Sequence, residues 1–214
     1  MLWLRKIIRY LIGAFGKISH DASFKKRSDA FVGSGEADKL CQELLLSEKF
    51  LKKKEVLDAE SAAHYSATFR YGYSFEPDPD NVDVYWDTRN GLILKHDGKA
   101  IAILGFKARK DCLTVMQVQG VKNSKSQLVP LRWQQFLVAY LMRLGGKAGY
   151  REMRIIQASD SNYYSQIANV ADPQSVTPRE EELRKKRLQT NHDGTARSMG
   201  FKLDRRGKIW THPL

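Results

Sequence analysis

The sequence predicts a mixed α+β domain in which an antiparallel three-strand meander leads into a strand–helix–strand crossover. Two observations carry that fold class. The stretch "GLILKHDGKAIAILGFKARKDCLTVMQVQGV" holds apolar runs at Leu92 to Lys95, Ala100 to Lys107 and Leu113 to Val121, separated by "HDGK" and "ARKD". Asp97-Gly98 suits a two-residue hairpin, because both residues tolerate the left-handed backbone such a turn requires, so the runs should pair antiparallel. After them, "PLRWQQFLVAYLMRLGGKAGY" puts Trp133, Phe136, Leu137, Tyr140, Leu141 and Leu144 on one helical stripe that stops near Gly145, Gly146 and Gly149. "REMRIIQAS" then reads as a strand, and a strand reached through a helix lies parallel to the one before it. Leu113 to Val121 and Met153 to Ala158 should therefore be parallel neighbours.

The elements before the meander follow in chain order. "MLWLRKIIRYLIGAFGKISH" is short of a bilayer-spanning helix and carries charges inside its apolar run. Wound as a helix, it places Trp3, Leu4, Ile7, Ile8, Leu11 and Phe15 on one face and Arg5, Lys6, Arg9 and Lys17 opposite. A helix lying in an anionic membrane interface has this pattern. So does a terminal helix docked on its own domain or a partner, and so does a mitochondrial-type presequence. Residues 1–19 are thus read as a basic amphipathic helix, with Trp3, Arg5, Lys6, Arg9 and Phe15 as its membrane contacts. Residues 20–35, "HDASFKKRSDAFVGSG", show no periodicity and read as a linker. The domain proper spans residues 36–214. "EADKLCQELLLSEKF" has helical spacing, and "DAESAAHYSATFRYGYSF" gives a second helix or a helix followed by a strand. "EPDPDNVDVYWDTRNG" gathers Glu76, Asp78, Asp80, Asp83 and Asp87, but lacks the glycine and closing glutamate of a calcium loop, so no metal is expected.

Composition narrows the function classes. The 214 residues are 42% apolar and 10% aromatic, enough to bury a core, so the chain is folded. Lys and Arg number 36 against 24 acidic residues, and a net charge of +12 favours phosphate-rich partners: nucleic acid, anionic lipid or a phosphorylated cofactor. Cys41 and Cys112 have neither the spacing of a zinc site nor that of a disulfide framework, which fits a cytoplasmic, reducing location.

In "LTVMQVQGVKNSKSQL" a straight strand would put Leu113, Val115, Gln117 and Gln119 on one inner face. A buried amide without a partner costs about 1–3 kcal/mol, so these glutamines need each other, backbone, water or a ligand.

The order of helices, meander, helix, strand, helix and final strands resembles the GNAT acyltransferase superfamily from about Glu36 to the C-terminus. Within it, "TARSMGFKLDRRGKIW" looks like the GNAT closing segment, in which a helix delivers a Gly-Phe pair, here Gly200-Phe201, into a last hairpin. Asn162 sits where many members carry an asparagine. The resemblance implies that the turn after the fourth strand cradles the pyrophosphate of acyl-CoA, and orphan N–H groups with a helix dipole do suit an anion. It assigns cofactor binding to Gln117, Gln119, Gly120, Val121, Lys122, Asn123, Ser124, Lys125, Ser126 and Asn162. The amides of Gln117, Gln119 and Gln157 would then line a cleft between the separating parallel strands, the alternative being amides that bond one another.

The chain also departs from that pattern. The usual turn is Gln/Arg-x-x-Gly-x-Gly/Ala, whose glycines let backbone approach the pyrophosphate, whereas Asn123, Ser124, Lys125 and Ser126 stand here. Ala196 occupies the place of the usual acid tyrosine. Tyr163, Tyr164 or His192 could replace that acid, and Glu76, Asp83 or His96 could supply a base; Tyr164, His192 and Glu76 are carried forward as catalytic candidates. An insertion from Ser165 to Gly194 is unlike an ordinary member, and Thr177-Pro178-Arg179-Glu180 inside it starts a charged helix near residues 177–190. A slighter resemblance, at Gln119-Gly120, is to VirK-type proteins and would imply an envelope-associated role. Three functions follow: an N-acyltransferase that uses acyl-CoA and an amine, a non-catalytic GNAT-like module at an anionic membrane or partner surface, and a nucleic-acid-binding protein. The last rests on scattered charge without a recognition motif.

Overall fold

The computed structural model describes residues 24–29, 33–52, 57–71, 88–161 and 177–214. Helix α1, Glu36–Leu45, starts after Gly35 in the left-handed region and buries Leu40, Cys41, Leu44 and Leu45. A 3-10 turn, Glu48–Phe50, follows. Short helix α2, Ala59–Ala63, is capped by Asp58, whose carboxylate accepts from the Ser61 N–H at 2.7 Å. The chain then enters β1, Tyr65–Tyr71, and the meander β2, Asn90–His96, β3, Lys99–Arg109, and β4, Cys112–Gly120. Asp97 at φ 51° and Gly98 at φ 74° close the β2–β3 hairpin, the pair of left-handed residues that the sequence predicts.

After β4 come a single helical turn α3, Lys125–Leu128, the long helix α4, Trp133–Lys147, and β5, Glu152–Ile156. Helix α5, Pro178–Gln189, begins with a complete capping box between Thr177 and Glu180 and buries no side chain. It continues through a π turn, Thr190–Gly194, into α6, Thr195–Ser198. Strands β6, Lys202–Leu203, and β7, Ile209–Pro213, close the fold. The seven strands among the described residues lie in one sheet of order β1-β2-β3-β4-β5-β7-β6, antiparallel except for β4 and β5. The mixed α+β class, the meander, the crossover and the closing hairpin are thus those expected from the sequence.

The main core lies between α1, α4 and one sheet face, where Phe136, Leu137, Tyr140 and Leu141 of the α4 stripe meet Leu92, Leu94, Leu104, Phe106, Leu113 and Val115. Residues 24–29 correct the linker expected over residues 20–35. They are helical, and Phe24 is fully buried among Phe69, Tyr71, Phe106 and Tyr150. Ser28 and Tyr71 share a hydrogen bond of 2.5 Å, and burial pushes the Tyr71 hydroxyl up to about 12. One aromatic anchor therefore fastens a polar segment that has no helical stripe of its own.

Candidate functional site

The candidate site is built where the two parallel strands part. β4 and β5 pair from Cys112 with Glu152 to Val115 with Ile155, and no pair is formed beyond. The cause lies on the other edge of β4. Gly105 pairs with Gln117 but Phe106 with Val115, so Met116 is an extra residue in β4, a bulge that bends the strand away from β5.

The bulge also overturns the expectation that Gln117 and Gln119 share the inner face with Leu113 and Val115. Beyond Met116 the alternation is inverted, so Val118 points into the core and the glutamines point to the opposite sheet face. There Gln117 Nε2 donates to Gln119 Oε1 at 3.1 Å. The Gln117 side chain lies over Gly105, where an added Cβ would come within 2.6 Å of Thr88 Oγ1 and 3.2 Å of Gln117 Oε1. The two amides therefore satisfy one another beside a glycine that leaves them room. Gln157 likewise has a partner, donating to the Gly207 carbonyl at 2.7 Å.

The gap between the strands is bridged by the π turn. Asn191 Nδ2 donates to the Val118 carbonyl of β4 at 3.2 Å, and Asn191 Oδ1 accepts from Gln134 Nε2 of α4 at 3.1 Å. His192 Nδ1 lies 3.2 Å from the Ile156 carbonyl that ends β5. A carbonyl can only accept, so Nδ1 carries the proton and Nε2 is the basic nitrogen. His192 is 1% exposed, and burial holds its pKa below the ordinary histidine value, which keeps the ring neutral. Asp193 Oδ1 accepts from Trp210 Nε1 at 2.9 Å and from the Ala158 N–H at 3.4 Å, which fixes the turn to β7 and to the chain after β5. Asn191, Asp193 and Gln134 were not among the sequence candidates. A π turn inside a helix often marks a functional position, yet only the irregular "TNHDG" hints at it in the sequence.

Past Gly120 the chain turns through Val121, Lys122 and Asn123. The Val121 N–H donates to the Ile101 carbonyl at 2.8 Å, anchoring the turn to β3. Asn123 adopts φ 66°, the left-handed conformation usually left to glycine, and asparagine is among the residues that tolerate it best. Lys122, Asn123, Lys125 and Ser126 are exposed, whereas Ser124 is buried. A Cβ on Gly120 would point at Leu128 and Trp133, at 3.3 and 3.7 Å, so its side-chain position faces the core and its backbone faces the gap with Val118. This donor set suits coenzyme A in kind: β4 backbone for an amide-bearing arm, and lysines, hydroxyls and first-turn N–H groups for a pyrophosphate.

The other sequence candidates fall elsewhere. Glu76, Asp83, Asn162, Tyr163, Tyr164 and the membrane contacts Trp3, Arg5, Lys6, Arg9 and Phe15 lie outside the described residues. His96 stands at the β2–β3 hairpin, with its Nδ1 3.1 Å from Asp97 Oδ2 and its ring stacked on His64. Ala196 is fully buried in the core. Among the described residues no cluster of metal-ligating side chains occurs, and no helix is long and apolar enough to cross a membrane.

No protein family and no curated protein matches the sequence. Solved structures do. One is N-acetylglutamate synthase from Neisseria gonorrhoeae complexed with coenzyme A and N-acetyl-glutamate, at TM-score 0.33 and 16% identity over 70% of this chain and 35% of that one. Another is the GNAT family N-acetyltransferase YhbS from Escherichia coli in complex with CoA, at TM-score 0.36 and 11% identity over 69% and 81% of the two chains. A probable GNAT family acetyltransferase from Chromobacterium violaceum matches at TM-score 0.32 and 11% identity over 81% and 80%. The chain spans about a third of the length of the synthase. Its own sheet order, with parallel β4 and β5 and with β7 between β5 and β6, gives the mixed α+β fold that the sequence predicts.

Proposed function

We propose that the domain is a GNAT-like N-acyltransferase that moves an acyl group from acyl-CoA to an amine. The observation that carries this reading is the Met116 bulge and the parting of β4 and β5, which leave the end of β4 without β5 as a strand partner beside a cationic turn. When bound, acyl-CoA supplies an activated thioester. The backbone groups of Val118 and Gly120 would hold its amide-bearing arm along the gap. Lys122, Lys125 and Ser126 would neutralise and hydrogen-bond its phosphates. His192, neutral and with Nε2 basic, would accept the proton shed by an amine at the same gap. One observation favours a second reading, the non-catalytic module: Asn191 already occupies the Val118 carbonyl.

Calorimetric titration with coenzyme A tests the first reading. The wild-type chain should bind, and Lys122→Glu with Lys125→Glu should weaken binding by at least about tenfold, since two exposed cations at the phosphate end are reversed. Binding without acylation of any of a panel of amines would favour the module. No binding by wild type at about 1 mM would overturn the acyltransferase reading.

A further inference from the structure

At the opposite end of β4 and β5 lies a cavity of about 500 Å³ lined by Arg109, Lys110, Asp111, Cys112, Arg151, Glu152 and Arg154. At about 3.3 Å per residue, the run from Cys112 to Val118 separates it from the gap by roughly 20 Å. We propose that this cavity is a second binding site, for a phosphate group, carried either by a soluble phosphorylated compound or by an anionic lipid headgroup.

Local structure brings its cations together. The β3–β4 hairpin turns at Lys110, which adopts φ 46°, and the Asp111 carbonyl accepts from the N–H groups of both Arg151 and Glu152, at 2.8 and 3.2 Å. The start of β5 is thereby clamped to the hairpin, and Arg151 stands beside Arg109 and Lys110. On the strands themselves Arg109 pairs with Cys112, and Cys112 with Glu152, so these residues share one sheet face. Arg154 lies on the same face, held by Glu152 through Nε to Oε1 at 2.5 Å and Nη2 to Oε2 at 3.3 Å.

The charge balance selects the ligand. Four cations face two carboxylates, and the Glu152 carboxylate is already engaged by Arg154. An excess of two positive charges, two of the four cations being arginines not engaged by Glu152, matches a phosphate dianion, which arginine forks recognise in bidentate fashion. The basic character continues sideways. Lys107, Thr114, Arg154, Thr211 and Lys202 stand in register across β3, β4, β5, β7 and β6, cation alternating with hydroxyl. With strands about 4.8 Å apart, successive cations of the row are roughly 10 Å apart. Among the described residues no aromatic side chain lines the cavity, so they offer nothing for a nucleic-acid base to stack on.

Cys112 reports occupancy directly. It is partly exposed, with its thiol raised by partial burial, whereas Cys41 is buried and its thiol is pushed up to about 12 by that burial, so alkylation under native conditions falls on Cys112 first. The experiment measures the iodoacetamide rate with and without ligand, at constant ionic strength, in wild type and in Arg109→Gln with Arg151→Gln. Both arginines are exposed, so the variant should fold, and taking the ratio within each protein removes the effect of the lost charges on the thiol itself. Inorganic pyrophosphate, or phosphatidic acid vesicles but not phosphatidylcholine vesicles, should slow wild-type alkylation by about fivefold or more, and the variant should lose the protection. Protection by pyrophosphate identifies a soluble phosphorylated ligand; protection by the anionic vesicles alone identifies a headgroup. Protection by neither, or equal protection in the variant, overturns the proposal. Lys122→Glu with Lys125→Glu should leave it unchanged, so this test and that of coenzyme A binding can fail separately.

Discussion

Phe24→Ala should destabilise the domain by about 3–5 kcal/mol, the range for removing a large aromatic ring from a closed core. The ring is fully buried, 4.9 Å from Phe106 edge to face and 5.7 Å from Tyr150, with Phe69 and Tyr71 each 6.2 Å away. It is the point at which residues 24–29 close the sheet's aromatic end. Its loss opens a cavity between β1, β3 and the start of β5 and also frees residues 24–29, whose Ser28 bond to Tyr71 depends on the same docking. Urea denaturation of wild type and variant measures the difference. A loss under about 1 kcal/mol would show that the segment is not part of the cooperative core.

His192 should make the domain acid-sensitive in a window set by histidine. Burial lowers its folded pKa below the ordinary value, so the unfolded chain binds a proton that the native state does not. Stability then rises with pH in that interval. The contribution is present in full above the unfolded value, near 6.5, and is lost as pH falls below it toward the folded value. The lowered carboxylates Asp58, Asp97, Glu180 and Asp204 act only at lower pH, below about 4.5. Denaturation midpoints at about pH 7.5 and 5.5 therefore isolate histidine. Wild type should be less stable at the lower pH, and His192→Gln should flatten the difference while keeping a side chain able to donate to the Ile156 carbonyl. An equal pH dependence in the variant would contradict the buried, neutral assignment.

The parts of the fold that were legible in the sequence are those set by local chemistry. Asp97-Gly98 closes its hairpin because of its own backbone preferences, and the Trp133 to Leu144 stripe finds the sheet because its spacing leaves no other face to bury. Thr177 and Glu180 cap their helix through a contact within one turn. The site was less legible. In "VMQVQG" a bulge at Met116 and a straight strand have the same alternation up to Val115, and what decides is the pairing of Gly105 and Phe106 across β3. Phe24 is a lone aromatic in a polar stretch, and only partners from β1, β3 and the turn before β5 reveal its burial. Asn191 bonds a carbonyl on β4, far along the chain, which no spacing rule reaches. The turn after β4 lay between these cases: the missing glycine was plain, but that Asn123 supplies the left-handed backbone depends on its φ of 66°.

The central claim, that the gap beyond the Met116 bulge and the turn after it receive coenzyme A, is tested most directly by amide nuclear magnetic resonance of the full chain titrated with coenzyme A. Saturable shifts should appear at Val118, Gly120 and the amides from Val121 to Ser126, and at the Asn191 side-chain amide as its bond to the Val118 carbonyl is disturbed. Shifts at the arginine-lined cavity at the other end of β4, which is itself proposed to take phosphate, should follow a separate saturation curve. Absence of shifts at about 1 mM coenzyme A, or shifts confined to Arg109, Lys110 and Arg151, would contradict the claim.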